Sequence, residues 1–198
     1  MDFSLSEEEL DWQKKARDFA ENEITPISVA RDQLEGGFDP FDWSIIVKGS
    51  KIGFRTLAVP TEWGGPGTGF VTQALVMMEL AKGDSAICKA FSQNWKWSHL
   101  IINACNYTQK EKFFKQFIGD HRYLLGRGIT EPNAGCDNRL PPENDPKAGY
   151  RLSAVRDGND WILNGEKTFI ANGSVGSLFF IDARTDPTVD ITKGGTLF

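Results

Sequence analysis

Apolar residues recur at three- and four-residue spacing through the first part of the chain and alternate with polar ones later, predicting helices followed by strands. Ser6-Glu7-Glu8-Glu9 has the form of a capping box, and Leu5 and Leu10 stand where a hydrophobic staple would close the entry. Trp12, Ala16, Phe19 and Ala20 carry the stripe onward. Pro26 interrupts it, and Ile27 to Ala30 continue the helix beyond a kink. A second helix opens at Asp39 or Pro40, runs through Ile45, Ile46 and Ile52, and stops at Gly53. Phe70, Val71, Ala74, Leu75, Met77, Met78 and Leu80 predict a helix apolar over most of its girth, and therefore a central one. Another apolar helix spans Ser85 to Ala104. Thr108-Gln109-Lys110-Glu111 reads as a second capping box, followed by Phe113, Phe114 and Phe117 and a stop at Gly119.

Beyond this point the character changes. Half of the 20 glycines but only one of the six tryptophans lie after residue 121. Gly149 to Arg156 alternates as a strand. Trp161-Ile162-Leu163, then Asn164-Gly165, then Thr168-Phe169-Ile170 reads as a hairpin, because Asn-Gly suits a type I′ turn. Leu178 to Ala183 predicts a further strand, and Thr196-Leu197-Phe198 the start of another. The fold class is therefore α+β: an all-helical domain over 1–121 and an incomplete antiparallel β-barrel-like domain over 122–198. The interrupted last strand suggests a truncated domain.

Charge narrows the partners. The 22 Lys and Arg against 27 Asp and Glu give a net charge of -5, which argues against nucleic acid as the main ligand. No apolar run approaches the ~20 residues of a membrane span. The acidic start lacks the basic and apolar regions of a signal peptide, so the expected location is cytoplasmic. Cys88, Cys105 and Cys136 form no CxxC pair, and His99 and His121 have no ligand-spaced companions, so no metal site is predicted. Gly-x-Ser-x-Gly is absent. Val59 to Gly69 is glycine-rich before a helix, but Phe70 occupies the third glycine position of a dinucleotide fingerprint and no βαβ pattern surrounds it. A tight connection between helices is the better reading. By composition and spacing alone, the chain is an α-plus-β protein with no readable catalytic constellation.

Five strings, in order, change the picture. They are Phe3-Ser4-Leu5-Ser6-Glu7-Glu8; Gly53-Phe54 through Val59-Pro60-Thr61-Glu62-Trp63-Gly64-Gly65-Pro66-Gly67; Met78-Glu79-Leu80-Ala81-Lys82-Gly83-Asp84-Ser85; Ile129-Thr130-Glu131-Pro132-Asn133-Ala134-Gly135-Cys136-Asp137; and Trp161 through Leu163-Asn164-Gly165-Glu166-Lys167-Thr168-Phe169-Ile170-Ala171-Asn172-Gly173. Together they resemble the acyl-CoA dehydrogenase family, flavoenzymes that introduce an α,β double bond into acyl-CoA thioesters. The family has an N-terminal helical domain, a small β domain and a C-terminal four-helix domain. The resemblance places the first and part of the second in this chain, and the third, which carries the catalytic glutamate, outside it. No catalytic residue is therefore assigned, and Glu131 is read as structural.

The resemblance implies FAD as cofactor, acyl-CoA as substrate, an electron-transfer flavoprotein as electron acceptor, and a homo-oligomer. It lays the segment from Arg127 through Ile129, Thr130, Gly135 and Cys136 along the flavin ring. Phe169 is implied to pack on the ring face and Ala171 to lie near N5, with strand alternation putting both on one side. Cys136 is also implied to touch the acyl-CoA. Phe91 and Trp95, with Trp97, lie on the helix that walls the family's acyl site, hinting at a short, branched or ring-bearing acyl group. Two positions depart from the family: Cys136 replaces the usual Ser, and Ala171 the usual Thr or Ser, so one or two polar contacts are lost or moved to backbone. Two alternatives stay open. One is a flavin monooxygenase or nitroalkane-oxidase relative of the same fold, and the other a non-catalytic fragment or subunit.

Overall fold

The computed structural model describes residues 3–33, 41–140, 145 and 147–198. The chain divides into two compact units, one ending at Leu124 and the other running from Leu125 to Phe198.

In the first unit the helices begin where local caps are available. Helix α1 (Glu7–Phe19) opens with the expected box: the Glu9 N–H donates to Ser6 Oγ at 3.3 Å, and the Ser6 N–H donates to Glu9 Oε2 at 2.8 Å. The break ahead of Pro26 is not a simple kink. A π turn over Ala20–Ile24 leads into α2 (Thr25–Asp32), with Pro26 in its first turn, where a missing N–H costs no helix bond. Helix α3 (Trp43–Ile52) is capped by Asp42, which accepts from the Ser44 N–H at 2.9 Å. The expected start at Asp39 or Pro40 lies outside the described residues. Gly53 ends α3 at φ 109, a conformation that costs glycine little. The glycine-rich connection folds on itself, with the Thr68 hydroxyl donating to the Leu57 carbonyl at 2.8 Å.

Helices α4 (Phe70–Gly83) and α5 (Ser85–Ala104) reverse the expected roles. Helix α4 turns Thr72, Gln73, Val76, Glu79 and Leu80 inward and leaves Phe70, Val71, Met77 and Met78 exposed. The central helix is α5, in which Lys89 and Lys96 are the only exposed residues between Ile87 and Ile102. Helix α6 (Tyr107–Gly119) is capped by Asn106 and Gln109, not by Thr108 and Glu111, since an equally good box lies two residues earlier. The core is aromatic: Phe54 meets Phe19 at 5.4 Å and Phe91 at 6.2 Å between ring centroids, both edge-on. Gly49 has no side chain because an added Cβ would fall 2.4 Å from Phe91 Cζ. Buried Arg55 lies over the Phe117 ring and donates to the Tyr123 carbonyl at 3.1 Å, and burial pushes its pKa down to about 10.

The second unit carries a five-stranded sheet of β1 (Leu125–Gly128), β2 (Ser153–Asp157), β3 (Asp160–Asn164), β4 (Leu178–Arg184) and β5 (Gly195–Leu197), with a short helix α7 (Ile191–Gly194). The order is β1-β4-β2-β3, with β5 also on β4. The sheet is mixed, not purely antiparallel. Strands β1 and β4 run parallel with Leu125 opposite Leu178, while β2–β3 and β4–β5 are antiparallel. The hairpin turn sits at Gly158-Asn159, where Gly158 has φ 60 and Asp157 pairs with Asp160. Asn164-Gly165 is not a hairpin turn: Gly165 has φ 144, and residues 168–170 form no strand. One apolar cluster here joins Leu152, Ala154 and Ala183, flanked by Ile181 and Phe198, and Leu125 and Tyr150 are buried as well. Among the described residues no helix is long and apolar enough to cross a membrane.

Candidate functional site

Two segments expected at a ring-binding site, 127–136 and 169–171, are held together inside the strand unit by residues in and around the second. The Thr168 N–H donates to the Thr130 carbonyl at 2.9 Å. Lys167 Nζ reaches the Ile129 carbonyl at 3.2 Å and Glu131 Oε1 at 2.8 Å. Asn172 donates from its side chain to the Leu125 carbonyl at 3.0 Å. These bonds draw 167–172 against the end of β1 and out of any hairpin with β3. Phe169 and Ala171 therefore sit in turns, with Phe169 at φ 54 and Asn172 at φ 62, and strand alternation does not relate them. The Phe169 side chain is 92% exposed. Ala171 is half-buried, and β1 carries glycine at 126, where an added Cβ would fall 2.7 Å from the Phe179 ring and 3.1 Å from the Ala171 carbonyl oxygen.

The electrostatics of this clasp are specific. Glu131 and Lys167 form a pair whose side chains are only 10% and 5% exposed. Burial works to raise the Glu131 pKa, but the hydrogen bond from Lys167 and the N–H groups of Leu152 and Arg151 outweigh it and hold the carboxyl below its ordinary range. A carboxylate so engaged braces the loop and is poorly placed to take a proton. Arg127 grips Asp182 bidentately at 2.5 and 2.6 Å, joining β1 to β4. Asp137 accepts from the Gly149 N–H at 2.9 Å and the Gly135 N–H at 2.6 Å, bonds that hold its carboxyl below the usual range. Cys136 is exposed at the start of a 3-10 turn, Cys136–Arg139, and Gly135 is half-buried just before it. A cavity of about 750 Å³ in this unit is lined by Arg151, Ser153, Arg184 and Thr185 among others, and by none of the expected ring-side residues.

In the helical unit the expected acyl-wall residues separate. Phe91 is 0% exposed and wedged between Phe54, Phe19 and Gly49, which leaves it no free face. It is a core residue rather than a wall. Trp97 is likewise buried, its indole bonded to Gln93 Oε1 at 3.1 Å. Trp95 is buried with its indole N–H donated to the Phe54 carbonyl at 2.5 Å, yet it does border an open cavity of about 510 Å³ between α4 and α5. Phe70, Ala74 and Met77 form one side of that cavity, and Lys89, Ser92 and Lys96 line the other. Sequence reasoning missed Lys167, Asp182, Lys89 and Lys96. Lys167 stood inside a quoted string, but its pairing with Glu131 spans 36 residues and has no local signal.

Helices in one unit and a small, loop-clasped mixed sheet in the next define an α+β architecture. Residues 6–120 match the family model described as acyl-CoA dehydrogenase, N-terminal domain, and the chain belongs to the acyl-CoA dehydrogenase family. It is similar to the short-chain-specific acyl-CoA dehydrogenase of Clostridium acetobutylicum, 29% identical over 198 residues, which are 100% of this chain and 48% of that one. A chain in a structure of the electron transferring flavoprotein of Acidaminococcus fermentans superposes with a TM-score of 0.85 at 29% identity, covering 100% of this chain and 48% of that chain. A glutaryl-CoA dehydrogenase from Mycobacterium smegmatis in complex with FADH2 superposes with a TM-score of 0.74 at 25% identity, covering 98% and 46%. The chain thus spans about half the length of the curated relatives it matches.

Proposed function

We propose that this chain forms the part of an acyl-CoA dehydrogenase that holds the flavin ring of FAD and walls the acyl site. The observation that carries the reading is Phe169. A large apolar ring, almost wholly exposed on a backbone at positive φ, costs free energy in the isolated chain and suits a planar partner laid against it. Its neighbours fit the same partner. Thr130 brings a hydroxyl to the loop and Cys136 stands exposed after it, while the Gly135 N–H is held by Asp137 and the Ile129 carbonyl by Lys167, so these two serve by fixing the loop. Arg127 is committed to Asp182, so it serves by fixing β1, with its backbone toward the ring. Bound FAD supplies the hydride acceptor for desaturating the acyl group.

The chain's own residues bind and orient. The Glu131–Lys167 pair and the Thr168–Thr130 bond set the position of Phe169, and the absence of a hydroxyl at Ala171 leaves any polar contact there to the backbone. No residue of this chain is assigned the proton-abstracting role. On family grounds the electrons pass to an electron-transfer flavoprotein, and the protein acts in lipid metabolism as a cytoplasmic homo-oligomer.

FAD titration tests the reading. The chain alone is expected to bind FAD weakly and to be inactive, with detectable quenching of flavin fluorescence at high chain concentration, and Phe169→Ala is expected to weaken that binding about three- to tenfold with circular dichroism unchanged. Absence of any FAD binding, or full retention of affinity in Phe169→Ala, would overturn it.

A further inference from the structure

We infer that Lys167 sets how strongly the Ile129–Thr130 peptide donates to the polar edge of the flavin ring, so that the chain holds reduced FAD more tightly than oxidised FAD; this rests on the flavin reading above. The first observation is where the ammonium sits. The Lys167 side chain is 5% exposed, and its Nζ lies 3.2 Å from the Ile129 carbonyl oxygen, 2.8 Å from Glu131 Oε1 and 4.7 Å from the centroid of the Tyr150 ring. A brace against Glu131 needs only the second of these contacts. The first places a positive charge, in a site nearly closed to water, on the oxygen of one loop peptide. A hydrogen bond to a peptide oxygen polarises the whole unit and strengthens the donor at its other end. That donor is the Thr130 N–H.

The second observation is that this N–H is unspent. Among the described residues it has no acceptor, while its loop neighbours are taken: the Glu131 N–H by the Ala134 carbonyl at 2.8 Å, the Ala134 N–H by the Glu131 carbonyl at 3.2 Å, and the Gly135 N–H by Asp137 at 2.6 Å. The Thr130 carbonyl accepts from the Thr168 N–H at 2.9 Å, which fixes the residue in place. The counter-charge is drawn elsewhere. Glu131 also accepts from the N–H groups of Arg151 and Leu152 at 2.7 and 2.8 Å, so its charge is shared among three donors. Reduction adds electron density to the polar edge of a flavin, and a stronger donor there favours the reduced ring.

The test measures the dissociation constants of the chain, at high chain concentration, for FAD and for FAD reduced anaerobically with dithionite, by calorimetric titration. The unaltered chain is expected to bind the reduced form about fivefold more tightly, the worth of making one hydrogen bond charge-assisted, which corresponds to a rise of about 20 mV in the potential of the bound flavin. Lys167→Gln keeps a neutral donor and is expected to bring the ratio of the two constants to about one, and Lys167→Arg is expected to restore most of it. Glu131→Gln keeps the ammonium and removes its counter-charge, and is expected to raise the ratio above that of the unaltered chain. A pair that only braced the loop would lose affinity for both forms alike in either variant. Circular dichroism checks the fold of each variant, and where Lys167→Gln does not fold, the direction of change in Glu131→Gln decides. Equal affinity of the unaltered chain for both forms would overturn the inference and leave the flavin reading standing. So would a ratio that Lys167→Gln and Glu131→Gln leave unmoved or shift in the same direction. Binding of neither form would overturn the inference and the reading together.

Discussion

In the helical unit, Phe19, Phe54 and Phe91 meet at centroid distances of 5.4 to 6.5 Å, and its buried charges are few and individually held, Glu79 by Arg17 and Arg55 by the Phe117 ring and the Tyr123 carbonyl. In the strand unit the proportions invert. One apolar cluster is built on Leu152, Ala154 and Ala183, while Glu131–Lys167 and Arg127–Asp182 sit within the structure as its cross-links. Apolar packing tolerates small displacements at modest cost, whereas a buried ion pair demands its partner. The first unit is thus suited to be a stable scaffold. The second holds a few loop residues in one arrangement that aromatic packing alone would not specify.

The largest test of this contrast is Lys167→Met. Removing one member of the buried pair strands the Glu131 carboxylate and is expected to cost about 4 kcal/mol, with loss of strand-unit structure first. Urea unfolding followed by hydrogen exchange resolves the two units. Adding Glu131→Leu to Lys167→Met is expected to recover part of the loss, because replacing a buried pair costs less than breaking it. Recovery of nothing would show that the pair does more than brace the loop.

A smaller effect sharpens the comparison from the helical side. Glu79 has a nearly buried side chain whose pKa is lowered to about 2 from 4.5, first by the hydrogen bond from Arg17, against the opposing pull of burial, and further by Lys82. The unfolded chain therefore binds this proton more readily. The stability from Glu79 is complete above about pH 4.5 and is lost as pH falls through about 2, an effect of about 2 kcal/mol once the half-exposed Arg17 is allowed for. Glu79→Gln is expected to flatten the helical unit's acid response in that window, read by thermal melts from pH 2 to 6. The strand unit keeps its own response through Glu131 and Asp137.

The smallest expected change is at Phe169→Gly. Relief of the positive-φ backbone outweighs the extra freedom of the unfolded chain by about 0.5 kcal/mol, so melting is expected to rise slightly even though a large residue is removed. A fall would mean that Phe169 packs within its own unit.

What could be read from the chain follows the range of the deciding interactions. Ser6 with Glu9, and Gly53 at φ 109, settle their helix ends within a few residues, so both were legible. Thr108 failed by the same local rule, because Asn106 with Gln109 forms a competing box. Asn164-Gly165 was read as the hairpin turn, but the chain turns at Gly158-Asn159 instead. The choice between them was made by Lys167 reaching Glu131, a contact with no local trace. Strand β1 reads Leu-Gly-Arg-Gly and exists because β4 pairs with it, not because its residues favour strands. Counting apolar residues picked α4 as the central helix, yet burial depends on the surfaces that surround a helix, and these enclose α5. Of the candidate site, the two loop strings were legible as strings. Their clasp, the turn conformation of Phe169 and the lysines of α5 were not.

The edge position of β3 has a consequence for how the protein behaves at high concentration. The strand order leaves β3 at the end of the sheet, and all five of its residues are exposed, including Trp161, Ile162 and Leu163. Across the turn its partner β2 shows Val155 at 62% exposure. An apolar edge with open backbone donors and acceptors templates the addition of further strands, and no lysine or proline within β3 blocks it. Unless a neighbour covers that edge, colloidal stability in solution is set by this hairpin rather than by either core.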